Sequence, residues 1–494
     1  MRLFYRLFLI IGLCSFAAFT VYGQGAILDR DFYNQLPRQP NYGDGSKSES
    51  KALEGINKVD LKPYCPTVQH QGTMSSCTGW AVGYAAQTIQ YAISKEWKGK
   101  TDKITNRAFS ALFLYNLLKE EKIESCGVGT NIGKALELLQ DKGNIHSEDF
   151  DTHRDCNRQP SDKELAYAQN YKIKNFVTLF PADERGNIVK HKVKLSLAQG
   201  MPVIVGIPIT KKFQKLKTSF WYPSEKKQPA GHHAMVVVGF DDKKGAFEIM
   251  NSWGKGWGND GFFWMKYDDF AKSGVFAFQL ELFDEVQLRI YPSISEDKGI
   301  PIEADFTLSV PSTIGGFTIF NNPEFKYKEH EGIFYTKDTL VRSDIAQFTI
   351  TNVTERTYLY MFSFDADENI NVHWPRDEVF DDKFTGLHES ALITVPEVEL
   401  VLPTPNSAFQ FNLTGNELFC ILLSRSPITD FNEKLPSIKE NGNEDLHQRL
   451  NEVFGEKVLN MENAICRSGK TSRFSSNISE SNIVPVIFKI PVEH

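Results

Sequence analysis

The sequence lacks an excess of positive charge, and beyond its N-terminus it lacks long apolar runs. It carries 55 Lys and Arg against 62 Asp and Glu, a formal net charge of −7, which argues against nucleic acid as the main partner. After residue 24 no stretch is long and apolar enough to span a bilayer. The histidines show no metal-ligand spacing with cysteines or acids, among them His70, His146, His153 and His191. The sequence therefore indicates neither a metal site nor a cofactor.

The N-terminus has the pattern of a targeting segment. Arg2 and Arg6 form a basic start, residues 7–22 are nearly uncharged and apolar, and residues 21–23 are similar to a small-residue cleavage site. We therefore predict a signal peptide over residues 1–23 and a secreted or periplasmic mature protein without a stable membrane span. An uncleaved anchor is the alternative, although the apolar run is short for one.

The length of the chain, 494 residues, is too great for one compact core, so we expect two or three domains. Residues 24–60 are polar without a sustained period, which indicates a loosely ordered lead-in. Residues 61–290 carry helix-like stretches first and strand-like runs later, which predicts an α+β domain with two lobes. Residues 300–494 hold short runs rich in Phe, Thr, Val and Ile, broken by Pro and Asn, which predicts a mostly β domain.

Periodic stretches predict individual elements. Helices are expected over residues 77–94, 108–119, 131–142 and 188–198, and strands over residues 203–207, 234–240, 246–250 and 262–266. In the C-terminal domain, strands are expected over residues 316–320, 346–352, 358–364 and 418–423, a helix over residues 446–454, and a hairpin from residues 358–365 to 369–375. The position of this domain behind the first one suggests that it binds another protein or a surface, or acts as a scaffold.

The segment Val68–Cys77 ends in a cysteine with the setting of a nucleophile. Cys77 stands where a Gly/Ser-rich loop becomes an Ala-rich helix, and the free N–H groups and dipole of a helix start stabilise a thiolate. Gln71, six residues earlier, can place its side-chain amide beside the Cys77 N–H, so that both donors form an oxyanion hole. For Cys77 alone, a buried structural thiol is the alternative.

Two later segments supply partners for a cysteine nucleophile. His232 and His233 precede Ala234 and an apolar strand, so one imidazole can face a cleft as general base. His233 is favoured because the apolar strand follows it directly, which leaves His232 at the cleft edge or exposed. Asn251, 18 residues later, can accept the imidazole N–H and orient the ring; an ordinary turn Asn is the alternative.

These segments resemble the papain family of cysteine peptidases. The Gln–x5–Cys spacing, a His before a small residue and an apolar strand, and Asn-Ser-Trp-Gly-Lys-Gly-Trp-Gly occur in the family's order, within residues 60–285. The resemblance implies a two-lobed papain-like fold and acyl transfer on the peptide bonds of a protein or peptide substrate. It implies that Cys77 is the nucleophile, His233 the base and Asn251 the residue that orients it. Gln71 would be an oxyanion donor.

The resemblance also implies substrate-binding positions. Trp253 would shield the Asn–His contact from water, and Trp257 would line the leaving-group side of the cleft. In Cys126-Gly127-Val128-Gly129, Gly129 would pair with the substrate backbone. The C-terminal part is similar to an uncharacterised β-rich module that recurs behind catalytic domains of secreted bacterial proteins.

The chain departs from the family at several positions. Thr78 and Gly79 intervene before Trp80, whereas an aromatic residue usually follows the nucleophile directly. Met74 stands where a disulfide cysteine is common. The long inhibitory pro-segment of the family does not fit into residues 24–60, so activity is controlled differently or the enzyme is made active. These features resemble the divergent bacterial branch of the family.

Cysteine is scarce, and the cysteines of an exported chain can form disulfide bonds. After residue 23 there remain Cys65, Cys77, Cys126, Cys156, Cys420 and Cys466. If Cys77 stays a free thiol, five are left, so we expect one further unpaired cysteine. We predict a Cys126–Cys156 bridge first and a Cys420–Cys466 bridge second.

The motifs together predict a cysteine peptidase that hydrolyses peptide bonds by thiolate acyl transfer. One alternative is a papain-fold binding or adhesion protein with an inert cleft, for which the altered Thr78-Gly79 neighbourhood leaves room. The other is a thiol acyltransferase that passes the acyl group to an amine instead of water.

Overall fold

The structure is a computed structural model that describes residues 25–40, 53–119, 124–151, 154–223, 229–282, 301–314, 317–354, 356–376, 388–393, 399–404, 407–428, 431–440, 445–455, 458, 464–476 and 483–494. The predicted signal peptide lies outside the described residues. Within those ranges, no helix is long and apolar enough to cross a membrane.

Helices dominate the first part of the chain. They are α1 (Arg30–Gln35), α2 (the consecutive stretches Cys77–Gly79, Trp80–Gln87 and Thr88–Ser94), α3 (Thr101–Asn106), α4 (Ala111–Leu118), α5 (Ile132–Asp141), α6 (Ser147–Phe150), α7 (Asp162–Ala168), α8 (Asn187–Ala198), α9 (Lys211–Gln214) and α10 (Tyr267–Lys272). Short 3₁₀ turns cover Lys62–Tyr64 and Gln169–Tyr171. The helices predicted over residues 77–94, 108–119, 131–142 and 188–198 are all present, with their ends moved by at most a few residues.

Small residues let helix α2 approach helix α4 closely. A Cβ atom added at Gly79 would lie 2.1 Å from the Ala111 carbonyl oxygen, and one at Gly83 would lie 2.6 Å from the Ser110 oxygen. The start of α4 is capped by Ser110, whose side chain accepts from the Phe113 N–H. The middle stretch of α2 is a π-helix, a form that often occurs at functional sites.

Strands form the second lobe. They are β1 (Ala26–Ile27), β2 (Lys58–Asp60), β3 (Thr130–Asn131), β4 (Ile173–Thr178), β5 (Val203–Ile209), β6 (Phe220–Trp221), β7 (Gly231–Asp241), β8 (Ala246–Met250), β9 (Phe262–Lys266) and β10 (Phe276–Leu282). The main sheet has the order β4-β10-β5-β7-β8-β9-β6, with β2 on β7, and β1 pairs with β3. The central strands are buried on both faces, which accounts for their continuous apolar sequences. The α+β fold with a helical lobe and an antiparallel β lobe is confirmed.

The C-terminal part is a β-rich domain, as predicted. Its strands are β11 (Ile302–Ile314), β12 (Phe317–Asn321), β13 (Phe325–Lys328), β14 (Ile333–Thr336), β15 (Leu340–Val341), β16 (Ile345–Thr351), β17 (Thr357–Phe364), β18 (Ile370–Trp374), β19 (Leu392–Ile393), β20 (Glu399–Leu402), β21 (Phe409–Gln410), β22 (Gly415–Ser424), β23 (Ile465–Arg467), β24 (Thr471–Ser476) and β25 (Ile483–Glu493), with helices α11 (Phe431–Glu440) and α12 (Leu446–Phe454). The predicted β17–β18 hairpin is present, and α12 covers the predicted residues.

Two sheets pack face to face in this domain. One has the order β20-β16-β11-β24-β23 and the other β13-β14-β25-β22-β17-β18. Phenylalanines join them: the ring of Phe488 lies 5.3 Å from Phe306 and 5.4 Å from Phe348, and Phe348 lies 5.0 Å from Phe419. This aromatic core accounts for the Phe-rich composition of the domain.

The cysteine predictions are correct in part. The Cys126–Cys156 bridge is confirmed. The Cys420–Cys466 bridge is wrong, because Cys420 is buried in β22 of one sheet while Cys466 lies on β23 of the other. Cys65 is also unpaired, so among the described residues three free thiols accompany Cys77 instead of one.

The lead-in is more ordered than its polar composition indicates. Its described residues 25–40 include β1 and α1, and Asp29 caps α1 by accepting from the Phe32 N–H. Tyr33 anchors the helix, since its hydroxyl donates to the Ala277 carbonyl at 3.1 Å and its side chain is fully buried. A few buried contacts to a distant sheet therefore order a segment that has no periodic pattern of its own.

Candidate active site

Cys77 begins helix α2 at the interface of the two lobes. Its side chain is completely buried, and burial raises the pKa of its thiol above the ordinary value. Backbone hydrogen bonds at Ala234, Gly25 and Thr78 act in the opposite direction. In this state the sulfur is a protonated thiol held at a helix N-terminus.

His233 and Asn251 meet because strands β7 and β8 are antiparallel. Val236 faces Met250 in the register, so the residue that follows β8 comes beside the beginning of β7. The His233 Nε2 and Asn251 Oδ1 atoms lie 2.7 Å apart. This is the His–Asn contact that the sequence predicts.

Trp253 covers the imidazole of this pair. Its ring stacks on His233 with the centroids 4.4 Å apart, and His233 is completely buried. Burial lowers the pKa of His233 to about 4, while the hydrogen bond with Asn251 acts to raise it. The imidazole is therefore neutral near pH 7. His232 points to the other face of β7 and is exposed, because side chains alternate along a strand.

The thiol and the imidazole are not hydrogen-bonded in this structure. His233 Nδ1 is buried and has no hydrogen-bond partner among the described residues. The hydrogen bonds at the Cys77 thiol come instead from main-chain groups and Thr78. Both groups are neutral, so the described state is not a thiolate–imidazolium pair.

Gln71 is held between the first and third motifs. Its Nε2 donates to the Met74 carbonyl at 2.8 Å, and its Oε1 accepts from the Ser252 hydroxyl at 2.6 Å. The Gln71 main-chain N–H donates to the Ser252 carbonyl at 2.8 Å. Ser252 thereby fixes the orientation of the amide, a positioning role that the sequence reasoning missed although Ser252 directly follows Asn251.

The two remaining predicted substrate-binding residues differ in their surroundings. Trp257 is fully buried and donates from Nε1 to the Phe213 carbonyl at 3.1 Å, so it supports the wall behind Trp253 and does not form an open surface. Gly129 lies at the cleft, and an added Cβ there would come within 2.4 Å of the Gly25 oxygen. The position expected to meet a substrate backbone therefore meets residue 25.

Residues 25–28 lie across the cleft. The Thr130 N–H donates to the Gly25 carbonyl at 2.7 Å, and β1 pairs in parallel with β3. Leu28 is seated against β5, where a Cβ added at Gly206 would lie 2.4 Å from Leu28 Cδ2. We call residues 25–40 the strap, since its first residues cover Cys77. Within this otherwise polar region, Ala26 and Leu28 are apolar residues that pack against the hydrophobic core.

Thr78 and Gly79, the unusual residues after Cys77, have structural roles. The Thr78 hydroxyl donates to the Thr130 carbonyl at 3.0 Å, which ties α2 to the strand that pairs with the strap. Gly79 makes the close contact with Ala111 described above. Both residues hold Cys77 in place.

Comparisons with known proteins identify relatives of the first domain. Residues 57–278 match the family model described as papain family cysteine protease. The chain is 26% identical over 232 residues to an uncharacterized peptidase C1-like protein, L477, of Acanthamoeba polyphaga mimivirus, covering 44% of this chain and 70% of that protein. It is 28% identical over 204 residues to cathepsin K of Mus musculus, covering 41% of this chain and 56% of that enzyme.

Solved structures are also similar to this region. Xylellain, a cysteine protease from Xylella fastidiosa, is 22% identical with a TM-score of 0.43, covering 53% of this chain and 96% of that one. The digestive procathepsin L 3 of the Tenebrio molitor larval midgut is 20% identical with a TM-score of 0.39, covering 51% of this chain and 77% of that one.

Proposed function

We propose that the chain is a cysteine peptidase that hydrolyses peptide bonds of protein substrates. The match of residues 57–278 to the family model described as papain family cysteine protease supports this proposal. The observation that supports this most directly is the His233–Asn251 contact of 2.7 Å under Trp253, in the same interface as Cys77 at a helix start. A buried imidazole with a fixed orientation beside a thiol is the arrangement that nucleophilic acyl transfer requires.

The reaction follows from the positions of these side chains. His233 takes the Cys77 proton, and the thiolate attacks the scissile carbonyl carbon. The Cys77 N–H and the Gln71 amide stabilise the oxyanion of the tetrahedral intermediate. As that intermediate collapses, the C–N bond breaks and His233 protonates the leaving amine. A water molecule, deprotonated by His233, then attacks the thioester and releases the carboxylic acid and the thiol.

The strap must leave the cleft before this reaction can begin. In the covered state, the thiol is neutral and the imidazole has no bond to it. Once residues 25–28 are displaced, water and substrate reach both groups, and hydration raises the pKa of His233 towards that of a solvated imidazole. We therefore regard the described state as a resting form of the peptidase.

The activity is tested with the full chain and a Cys77→Ala variant. Iodoacetamide at neutral pH should alkylate Cys77 in the molecules whose strap is open, and should abolish their cleavage of a denatured protein substrate. Cys77→Ala should lack cleavage while keeping the same thermal unfolding. Cleavage that persists in Cys77→Ala would contradict the proposal.

A binding protein with an inert cleft is the second candidate, and the missing hydrogen bond at His233 Nδ1 favours it. It predicts that Cys77 stays unreactive even when the strap has been displaced. Acyl transfer to an amine is separated from hydrolysis by product analysis with and without an added primary amine.

We also propose that the protein is exported through residues 1–23. The Cys126–Cys156 disulfide supports this, since such bonds persist in oxidising compartments. The intact mass of the protein recovered outside the cytoplasm should correspond to a chain without residues 1–23. A mass that includes these residues would contradict signal cleavage.

A further inference from the structure

The far end of the strap pairs with both domains through bridges at a single residue, Arg38. β4 is the edge of the main sheet, and an edge strand offers unpaired main-chain groups. The Thr178 N–H donates to the Pro37 carbonyl at 2.8 Å, and the Gln39 N–H donates to the Thr178 carbonyl at 2.7 Å. The strap thereby forms a parallel bridge to the edge of this sheet.

The C-terminal domain pairs with the other side of the strap. The Arg38 N–H donates to the His388 carbonyl at 2.6 Å, and the Ser390 N–H donates to the Arg38 carbonyl at 2.7 Å. Arg38 therefore forms parallel bridges to Thr178 on one side and to Glu389 on the other. The Arg38 N–H and C=O form hydrogen bonds with the C-terminal domain, whereas the Pro37 C=O and the Gln39 N–H form hydrogen bonds with β4.

The C-terminal partner of the strap is held firmly in its own domain. Glu389 forms a buried bidentate ion pair with Arg376, at 2.6 and 2.9 Å. The Arg376 guanidinium also donates to the Pro403 carbonyl at 3.0 Å. Because bidentate pairs restrict geometry strongly, residues 388–390 present a fixed edge to the strap.

Direct contacts fix the two domains around this junction. The Tyr358 hydroxyl on β17 donates to Glu281 on β10 at 3.1 Å, and both side chains are buried. Lys174 on β4 donates to the Arg425 carbonyl. The C-terminal domain thus packs on the edge of the catalytic sheet that also receives the strap.

The distance along the chain between the junction and the cleft is short. Between Leu28 at the cleft and Arg38 at the junction lies α1, which Tyr33 holds against β10 through the bond to Ala277. Leu36 contacts the start of α5, where a Cβ added at Gly133 would lie 2.6 Å from Leu36 Cδ1. Contacts of Tyr33 within α1 and of Leu36 just after it therefore restrict where residues 25–28 lie.

We propose that the C-terminal β domain serves as an internal anchor that keeps the strap across the cleft, so that loosening the Arg38 junction uncovers Cys77. The consequence for activity rests on the proposed peptidase function, whereas the anchoring itself does not. The domain thereby has a regulatory role within its own chain.

Alkylation of Cys77 in the full-length protein measures how often the strap opens. A buried thiol reacts only in the opened fraction, and the modification is followed by peptide mass mapping because Cys65, Cys420 and Cys466 are also free. Ser390→Pro removes the N–H that donates to Arg38 from the C-terminal side. Arg38→Pro removes the reciprocal N–H from the strap side and leaves the bonds to Thr178 in place.

Each proline variant should raise the alkylation rate of Cys77 roughly fivefold, the effect of one lost hydrogen bond. Lys470→Pro, in the exposed turn between β23 and β24, is the matched control and should keep the wild-type rate. Tyr33→Phe, which loses the bond to Ala277 in the catalytic domain, is the positive control for strap release.

The outcomes separate the two proposals. If Tyr33→Phe is alkylated faster while Ser390→Pro and Arg38→Pro match Lys470→Pro, the anchor does not exist. Should Ser390→Pro disturb the thermal unfolding of its own domain, Arg38→Pro decides, because it leaves that domain's sequence unchanged. Faster alkylation without any gain in peptide cleavage would support the anchor and contradict the peptidase.

Discussion

Adding one methyl group at Gly25 should uncover the Cys77 thiol. A Cβ atom at this position would lie 2.1 Å from the Ser75 carbonyl oxygen and 2.5 Å from the Ser75 Cβ. Contacts this short with main-chain atoms cannot be relieved by turning a side chain. In Gly25→Ala the first described residue of the strap therefore has to move away from Ser75 and the loop that precedes Cys77.

The displaced residue loses two hydrogen bonds of the covered state. One joins the Thr130 N–H to the Gly25 carbonyl at 2.7 Å, and the other is the backbone bond from Gly25 at the Cys77 sulfur. At about 1 kcal/mol for each bond, the covered state becomes less stable by about 2 kcal/mol, which is roughly a 30-fold larger open fraction. Residues 30–40 keep their contacts, so the rest of the strap stays in place.

The assay is the rate of iodoacetamide alkylation at Cys77 under native conditions. The matched control is Gly256→Ala, because a Cβ atom at Gly256 meets no other atom within 4 Å. We expect about a 30-fold faster reaction for Gly25→Ala and the wild-type rate for Gly256→Ala. Thermal unfolding of both variants should resemble that of the wild type, since the clash is confined to the strap.

A wild-type alkylation rate in Gly25→Ala would refute this reasoning. It would mean that the strap does not limit access to the thiol, or that residue 25 does not lie against Ser75 in solution. Gly129→Ala tests the same contact from the opposite side, because its Cβ would lie 2.4 Å from the Gly25 oxygen.

Two further predictions concern stability. The folded-state pKa of His233, about 4, lies below its ordinary value of 6.5, so the unfolded chain binds more protons between these two values. The free energy of unfolding should therefore fall by up to about 3 kcal/mol as the pH drops from about 6.5 to 4. Urea titrations at several pH values should show that His233→Gln lacks this part of the pH dependence. The same pH dependence in His233→Gln and the wild type would contradict the prediction. Replacing Cys126 and Cys156 by Ser opens a loop with a sequence separation of 30 residues, which should cost about 2–4 kcal/mol and lower the melting temperature, whereas Cys65→Ser should not reproduce the effect of the open loop.

Local sequence patterns were sufficient for most elements of the first domain. Strands β8 and β9 coincide with the predicted residues, and helix α2 covers the predicted range after Cys77. Their signals lie within a few neighbouring residues: a run of small residues, a Gly after a helix, or an apolar run of strand length. The choice of His233 over His232 was also local, because alternation along a strand directs only one of them into the interface.

The errors concern contacts between residues far apart in the chain. Cys420 and Cys466 lie on different sheets, and no spacing in the sequence reveals which sheet a strand joins. Residues 25–40 have an unremarkable polar composition, yet Tyr33 is buried against β10 and the half-buried Leu28 packs against β5. Conformational order there comes from the partner surface, so it cannot be read from the segment alone.

The amino-acid sequence by itself determined the chemistry of this protein: a thiol at a helix start, a histidine at a strand start, and an asparagine that strand pairing brings to it. Such features depend on residue type and short-range periodicity. Tertiary structure alone decided that the cleft is covered, that Cys420 and Cys466 lie on different sheets, and that the C-terminal domain pairs with the strap at Arg38. These depend on which main-chain edges and apolar surfaces meet after folding, and such long-range contacts leave no local pattern in the chain.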